Sequence, residues 1–236
     1  VAGLGRPCEG VGGDYYDVIV RGDGMSALVV GDVSDHGIGP ALYMASARAL
    51  IHALMKTGTS PVRTLLTLND FLCRDMGPCD FMTVFLGVLD PATRGLAYAS
   101  AGHNPPLCLR RDGTLETLDK TGPLLGMLEG ATYGSEQIAP LEPGDALLLY
   151  TDGIYEAKDA FHALYGEDRL RASFECHVRA GRDARGIRDG LLEDLDIFCG
   201  SCALEDDVTC LVIRARPDRP PVVGPRGACG PPRVSS

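Results

Sequence analysis

The sequence predicts an α+β domain in which antiparallel strands predominate, and three observations carry that expectation. Short apolar, β-branched runs recur along the chain, separated by tight turns such as Arg21-Gly-Asp-Gly24, Asp90-Pro91 and Arg111-Asp112-Gly113, as in hairpins. Helix-period stretches lie between residues 41 and 76 and again between 166 and 198. With 236 residues and 45% hydrophobic content, the chain can bury one sizeable core, so one domain plus a tail is expected.

In chain order, Val11-Gly-Gly-Asp14-Tyr-Tyr-Asp17-Val-Ile-Val is a glycine turn entering a strand. Gly12 and Gly13 let the backbone approach a neighbour, and Asp14 is the acid beside them. The Arg21–Gly24 turn leads to Leu28-Val-Val-Gly-Asp32, an apolar run ending on a single acid, so a hairpin brings Asp14 and Asp32 to one sheet end. From Ala41 to Lys56 a helix is expected, with Leu42, Ala45, Ala49 and Ala53 as its apolar face. Ser60 as N-cap and Pro61 in the first turn start a second helix, with Val62, Leu65, Leu68, Leu72 and Met76 on one side.

Phe81 to Leu89 and Gly95 to Ala101 read as strands, followed by the loop Ala-Gly-His103-Asn104-Pro-Pro, the run Leu107 to Leu109 and another short strand after Gly113. Ala146 to Tyr150 is a fully apolar strand that runs into Thr151-Asp152-Gly153, repeating the pattern of strand, acid and glycine. Gly166 to Phe174 and Ala184 to Phe198 look helical, and Glu205-Asp206-Asp207-Val-Thr precedes a last strand, Cys210 to Ile213. Residues 215–236, with six prolines and three glycines, read as a disordered Pro/Gly/Arg-rich tail, which leaves 1–214 as the domain.

The charge balance, 22 basic against 32 acidic residues for a net −10, argues against non-specific nucleic-acid binding and against contact with an anionic membrane, since both need clustered Lys and Arg. No apolar run approaches the roughly 20 residues that span a bilayer, and no signal peptide is visible, so a cytoplasmic location is expected. Nine cysteines, odd in number and irregular in spacing, read as reduced thiols. Cys199-Gly-Ser-Cys202 has no second pair and no ligand His nearby, so it is not read as a metal site. A chain beginning at Val1 reads as a piece of a longer protein.

Asp14, Asp32, Asp152 and the pair Asp206 and Asp207 each abut a strand end and a glycine or another acid. Gathering them is costly: two like charges ~4 Å apart repel by about 1 kcal/mol in water and about 4 kcal/mol at an effective dielectric of 20. A fold that converges them needs cations, and oxygen ligands without His or Cys favour Mg²⁺ or Mn²⁺ over Zn²⁺. Two such ions ~3.5–4 Å apart would accept a phosphate dianion, acidify a water and clamp the phosphoryl oxygens, the logic of phosphoester hydrolysis.

Taken in order, Val11–Asp17, Gly31-Asp-Val-Ser-Asp-His-Gly37, Ala101–Pro106, Tyr150-Thr-Asp-Gly-Ile-Tyr-Glu-Ala157 and Asp206-Asp-Val-Thr209 resemble the SpoIIE-like (PPM-type) branch of the metal-dependent type 2C serine/threonine phosphatases. The resemblance implies a four-layer αββα sandwich, two antiparallel sheets flanked by helices, with a two-metal Mn²⁺/Mg²⁺ site at one edge. By position, Asp32 matches the acid shared by both metals and Val33 the residue offering a backbone carbonyl. Asp152 and Asp206 match acids on one metal, Asp14 matches the acid on the other, directly or through water, and Asp207 matches a residue just behind the ligands. Asp32 and Asp152 would act through metal-activated water, without a covalent intermediate.

Asp35 departs from the family pattern, which commonly has Gly there; it reads as a cap of the following helix, with an added ligand-side charge as the alternative. No arginine matches the phosphate-binding one of the eukaryotic relatives. His36 and His103 are read as loop-ordering residues before proton donors.

Rival chemistries fare worse. A haloacid-dehalogenase phosphatase needs acids at i and i+2, whereas Ser34 follows Asp32 at that spacing. Cys176 to Arg182 has the spacing of a cysteine phosphatase but lies in a charged helical stretch. A pseudophosphatase that binds a signalling partner remains the alternative, although no metal acid is missing. The resemblance further implies that the substrate is a phosphorylated regulatory protein in bacterial signalling, most often a small anti-sigma-factor antagonist. It also leaves room for an upstream sensor domain, acting through the helices from Pro40 to Met76, and for a dimer.

Overall fold

The alternation of side chains along the central strands decides the architecture, because nearly every position on both faces is apolar. The structure, a computed structural model, describes residues 1–35 and 37–216; His36 and the tail from 217 onward lie outside the described residues. Its strands are β1 (Ala2–Arg6), β2 (Tyr15–Val20), β3 (Ser26–Val33), β4 (Met82–Leu89), β5 (Leu96–Ala101), β6 (Leu107–Leu109), β7 (Leu115–Thr117), β8 (Glu136–Ile138), β9 (Ala146–Tyr150) and β10 (Val208–Arg214). The helices are α1 (Ile38–Lys56), α2 (Pro61–Asp75), α3 (Glu167–Arg179) and α4 (Ala184–Cys199). One antiparallel sheet has the order β2-β3-β4-β5-β8 and the other β1-β10-β9-β6-β7.

Three apolar clusters separate four layers. On β3, Leu28 and Val30 face the other sheet while Ala27, Val29 and Val33 face α1 and α2. On β9, Leu147 and Leu149 point inward while Ala146, Leu148 and Tyr150 meet α3 and α4; β10 alternates in the same way, Leu211 and Ile213 against Val208, Cys210 and Val212. The fold is thus the expected αββα sandwich. At the centre of the inter-sheet layer Phe85, fully buried, stacks on Tyr98 with ring centroids 5.1 Å apart. Phe85→Ala is expected to cost about 3–5 kcal/mol, read as a lower midpoint in urea unfolding.

Ser60 accepts a hydrogen bond from the Arg63 amide, as an N-cap should, with Pro61 at the first position and Leu65, Leu68 and Leu72 buried. α1 corrects the expectation for its apolar face. Met44, Ala47, Ile51 and Met55 are buried, whereas Ala45, Ala49 and Ala53 are exposed and Leu42 is 64% exposed. Both stripes have helical spacing, and the one with the larger Met and Ile side chains covers β2 and β3. The helix also starts earlier than expected, at Ile38, so Pro40 lies in its first turn, and α3 runs on to Arg179. No described helix is long and apolar enough to cross a membrane.

β1 and β8 were not expected. β1 pairs with β10, and its glycines make room for an aromatic ring: a Cβ at Gly3 would stand 2.2 Å from Tyr16. After β10 the Ala215 amide donates to the Asp145 carbonyl at 2.9 Å, and its own carbonyl accepts from Gly144 at 3.1 Å.

Candidate active site

The hairpin register places the first two acids together. Tyr15 pairs with Gly31, so Asp14, just before β2, and Asp32, still paired with Thr83 of β4, stand side by side at one sheet end. In the second sheet Tyr150 pairs with Cys210, and the Thr151 and Thr209 backbones join at 3.0 Å. Asp152 therefore follows β9 at the same end at which Asp206 and Asp207 precede β10.

Bare backbone lets these turns close on one another. A Cβ at Gly12 would lie 1.9 Å from Asp207 Oδ2, one at Gly153 would lie 2.0 Å from the Asp207 carbonyl oxygen, and one at Gly13 would lie 2.7 Å from the Val33 carbonyl oxygen. Any side chain at Gly12 or Gly153 would force the acidic turns apart.

Electrostatics mark the same place. Burial, then the charges of Asp14, Asp152, Asp206 and Asp207, push the Asp32 carboxyl up to about 9. Asp14 is pushed up to about 8 by burial and by Asp207 and Asp206, against the pull of hydrogen bonds from Thr209 and Thr151. Glu156 is raised as well, by burial and by Asp152 and Asp206.

Sequence reasoning missed the two threonines that hold Asp14. Thr151 Oγ1 donates to Asp14 Oδ2 at 2.8 Å and accepts from the Thr209 amide at 3.0 Å. The one signal available was their position beside each acidic turn, in Thr151-Asp152 and Asp207-Val-Thr209. Asp207 is buried, and its carboxylate accepts from the Cys8 amide at 2.8 Å and the Asp14 amide at 3.4 Å. It ties the segment before β2 to the turn before β10. Asp206 Oδ1 accepts from the Asp207 amide at 2.7 Å.

His103 is buried, with Nδ1 2.8 Å from Thr83 Oγ1, and Thr83 pairs with Asp32 across β3 and β4. Burial lowers its pKa to about 3, so the ring is neutral and ties the loop after β5 to β4 through Thr83. Asp35 is not the helix cap: the N-cap of α1 is Gly37, without a side-chain cap bond, and Asp35 lies two residues earlier in the left-handed region at φ 71. That conformation favours glycine. Cys176 sits inside α3, so it forms no phosphate-binding loop.

Among the described residues no three Asp, Glu, His or Cys side chains close into a ready metal cluster. The donor set nevertheless fits hard divalent cations. It offers carboxylates and the Val33 carbonyl at one edge, includes no imidazole or thiolate, and contains carboxyls whose charged forms are destabilised until a cation balances them. A cleft of about 310 Å³, lined by Arg6, Gly12, Asp14, Tyr16 and Thr209, opens beside them.

Comparison with known proteins identifies the family and the fold. The chain is similar to the phosphoserine phosphatase RsbU of Bacillus subtilis, 28% identical over 219 residues, covering 92% of this chain and 63% of that protein. It spans 36–63% of the length of the curated relatives it matches. Among solved structures, the SiaA-PP2C domain of Pseudomonas aeruginosa superposes with a TM-score of 0.77 at 25% identity, over 90% of this chain and 84% of that one. The RsbU and RsbW domains of Rv1364c from Mycobacterium tuberculosis give 0.73 at 29%, over 90% and 57%. The profile of the SpoIIE family, Stage II sporulation protein E, matches residues 22–216, and with that match the chain belongs to the SpoIIE family, the SpoIIE-like type of PP2C phosphatase domain.

Proposed function

We propose that this domain is a Mn²⁺- or Mg²⁺-dependent phosphatase that hydrolyses phosphoserine or phosphothreonine on a regulatory protein of bacterial signalling. One observation carries the reading. Acids from both sheets meet at one edge, where their mutual repulsion and burial hold Asp14 and Asp32 far above the carboxylate range. Asp32 and the Val33 carbonyl at the end of β3, with Asp14, Asp152 and Asp206, would hold two ions. Bound there, divalent cations supply the positive charge that admits a phosphate dianion and acidifies the attacking water.

The chain's own residues prepare this. Thr151 fixes the rotamer of Asp14, Asp207 anchors the backbone beneath Asp14, and the glycines at 12 and 153 let both turns approach. The neutral His103 keeps the loop after β5 in place through Thr83. The name of RsbU, a phosphoserine phosphatase, supports a phosphoprotein substrate. By the family resemblance that substrate is a small anti-sigma-factor antagonist, and an upstream sensor domain acts on α1 and α2. The test is phosphopeptide hydrolysis with Mn²⁺ or Mg²⁺ and with chelator. Cation-dependent turnover that Asp152→Ala abolishes is expected. A rate independent of cation sinks the mechanism, and partner binding without any turnover favours a pseudophosphatase.

A further inference from the structure

The end of the second sheet remote from the acids carries a concentration of arginine that phosphoester hydrolysis does not use. β10 runs ~20 Å from Val208 beside the acidic turns to Arg214. Two adjoining clefts of about 410 and 420 Å³ open there, among the β6–β7 and β8–β9 turns, the end of α3 and the residues after β10. They share Gly144, Gly181 and Arg214; Arg110, Arg111 and Arg179 line the first, Arg182 and Arg216 the second. In a chain of net charge −10 this is a local reversal of sign.

Three of these arginines are already paired. Arg110 forks onto Glu116 at 3.0 and 3.1 Å and reaches Asp145 at 3.1 Å, Arg179 pairs with Glu175 at 2.6 Å, and Arg216 pairs with Asp183 at 3.3 Å. Arg111, Arg182 and Arg214 have no carboxylate partner among the described residues. Arg214 gives Nη2 to the Val178 carbonyl at 3.5 Å, while its Nη1 is buried with no acceptor among the described residues. A buried donor left so costs stability unless something accepts from it.

Acids share the site, Asp112 lining the first cleft and Asp183 the second, and each is also held by backbone amides. Asp112 accepts from the Thr114 amide, Asp183 caps α4 through the Gly186 amide, and Asp145 accepts from the Arg111 and Glu142 amides. The backbone is shaped to bring the groups together: Gly144 has φ 103, and a Cβ there would press on Arg111 Cβ at 3.2 Å.

We propose that the paired clefts bind a ligand with at least two linked phosphoryl groups, one seated in each cleft with Arg214 between them. The planar guanidinium fork matches phosphate oxygens, and the volumes are those of a small-molecule site. The apolar wall, Leu109, Val178 and Ala215, has no aromatic ring on which a base would stack. Recognition is therefore of the phosphate chain, which a nucleotide or free pyrophosphate supplies.

The test is calorimetric titration of the 236-residue protein in EDTA, where the acidic site repels anions. Pyrophosphate or ATP is expected to bind one per chain, with orthophosphate at least tenfold weaker. Arg111→Ala combined with Arg182→Ala, both on exposed residues, is expected to weaken binding at least tenfold without lowering the melting midpoint. ATP binding tenfold tighter than pyrophosphate assigns a nucleotide, and equal affinity assigns the bare phosphate chain. Absence of saturable binding by both, unchanged affinity in the double variant, or orthophosphate binding as tightly as pyrophosphate overturns the proposal.

Discussion

Asp32→Asn is expected to lower cation-dependent phosphopeptide turnover by about 10³-fold or more. Asp32, the last residue but one of β3, lies in the middle of the acidic group, and its charge interacts with those of Asp14, Asp152, Asp206 and Asp207. The amide keeps the shape of the side chain and removes the negative charge on which cation binding depends. Folding should be spared. With its carboxyl pushed up to about 9, Asp32 in the cation-free protein already carries a proton at neutral pH, and Asn imitates that form. The discriminating pair of measurements is therefore Mn²⁺ binding by calorimetry, expected to collapse, and the melting midpoint in EDTA at pH 7, expected to hold. A variant that retains full turnover removes Asp32 from the centre.

Raising the pH should destabilise the cation-free domain, the reverse of what paired surface carboxylates do. In the unfolded chain both Asp14 and Asp32 ionise near ~3.9. In the folded protein they do so at about 8 and about 9. Between these limits the folded state holds protons that the unfolded chain has released, so stability falls with pH. Their contribution is complete below pH ~4 and is lost as the pH passes through the folded values. Each ~2 kcal/mol lost lowers the midpoint of a domain this size by about 4–8 °C. Cations bind the deprotonated carboxylates, so saturating Mn²⁺ should remove or invert the trend. Melting curves in EDTA that stay level or climb from pH 6 to pH 9 would show that the two carboxyls are not buried together.

The acids were legible in the sequence because each ends or precedes an apolar run, a pattern that local chain chemistry imposes. The β2–β3 hairpin was equally legible, since turn residues and strand lengths set its register. The buried face of α1 was not. Leu42, Ala45, Ala49 and Ala53 share the helical period of Met44, Ala47, Ile51 and Met55, and only the sheet beneath selects between them. β1 was hidden by Gly3 and Gly5, which weaken strand propensity but admit the ring of Tyr16. Thr151 and Thr209 carried no pattern of their own, because their role exists only where β9 meets β10. Asp35 misled for the opposite reason: Asp is a common cap, and its left-handed backbone is invisible to composition.

The hydrogen bonds from the Cys8 and Asp14 amides to Asp207 join residues about 200 positions apart in sequence, and β10, the last strand, lies between β1 and β9. During synthesis, Asp14 and Asp32 emerge long before Asp206, and the bonds from the Cys8 and Asp14 amides to Asp207 await β10. Contacts of such separation form late, after the loops that connect them have been closed. A chain that ends before Asp206 is therefore expected to lack the proposed cation site, which is complete only once the second sheet has closed.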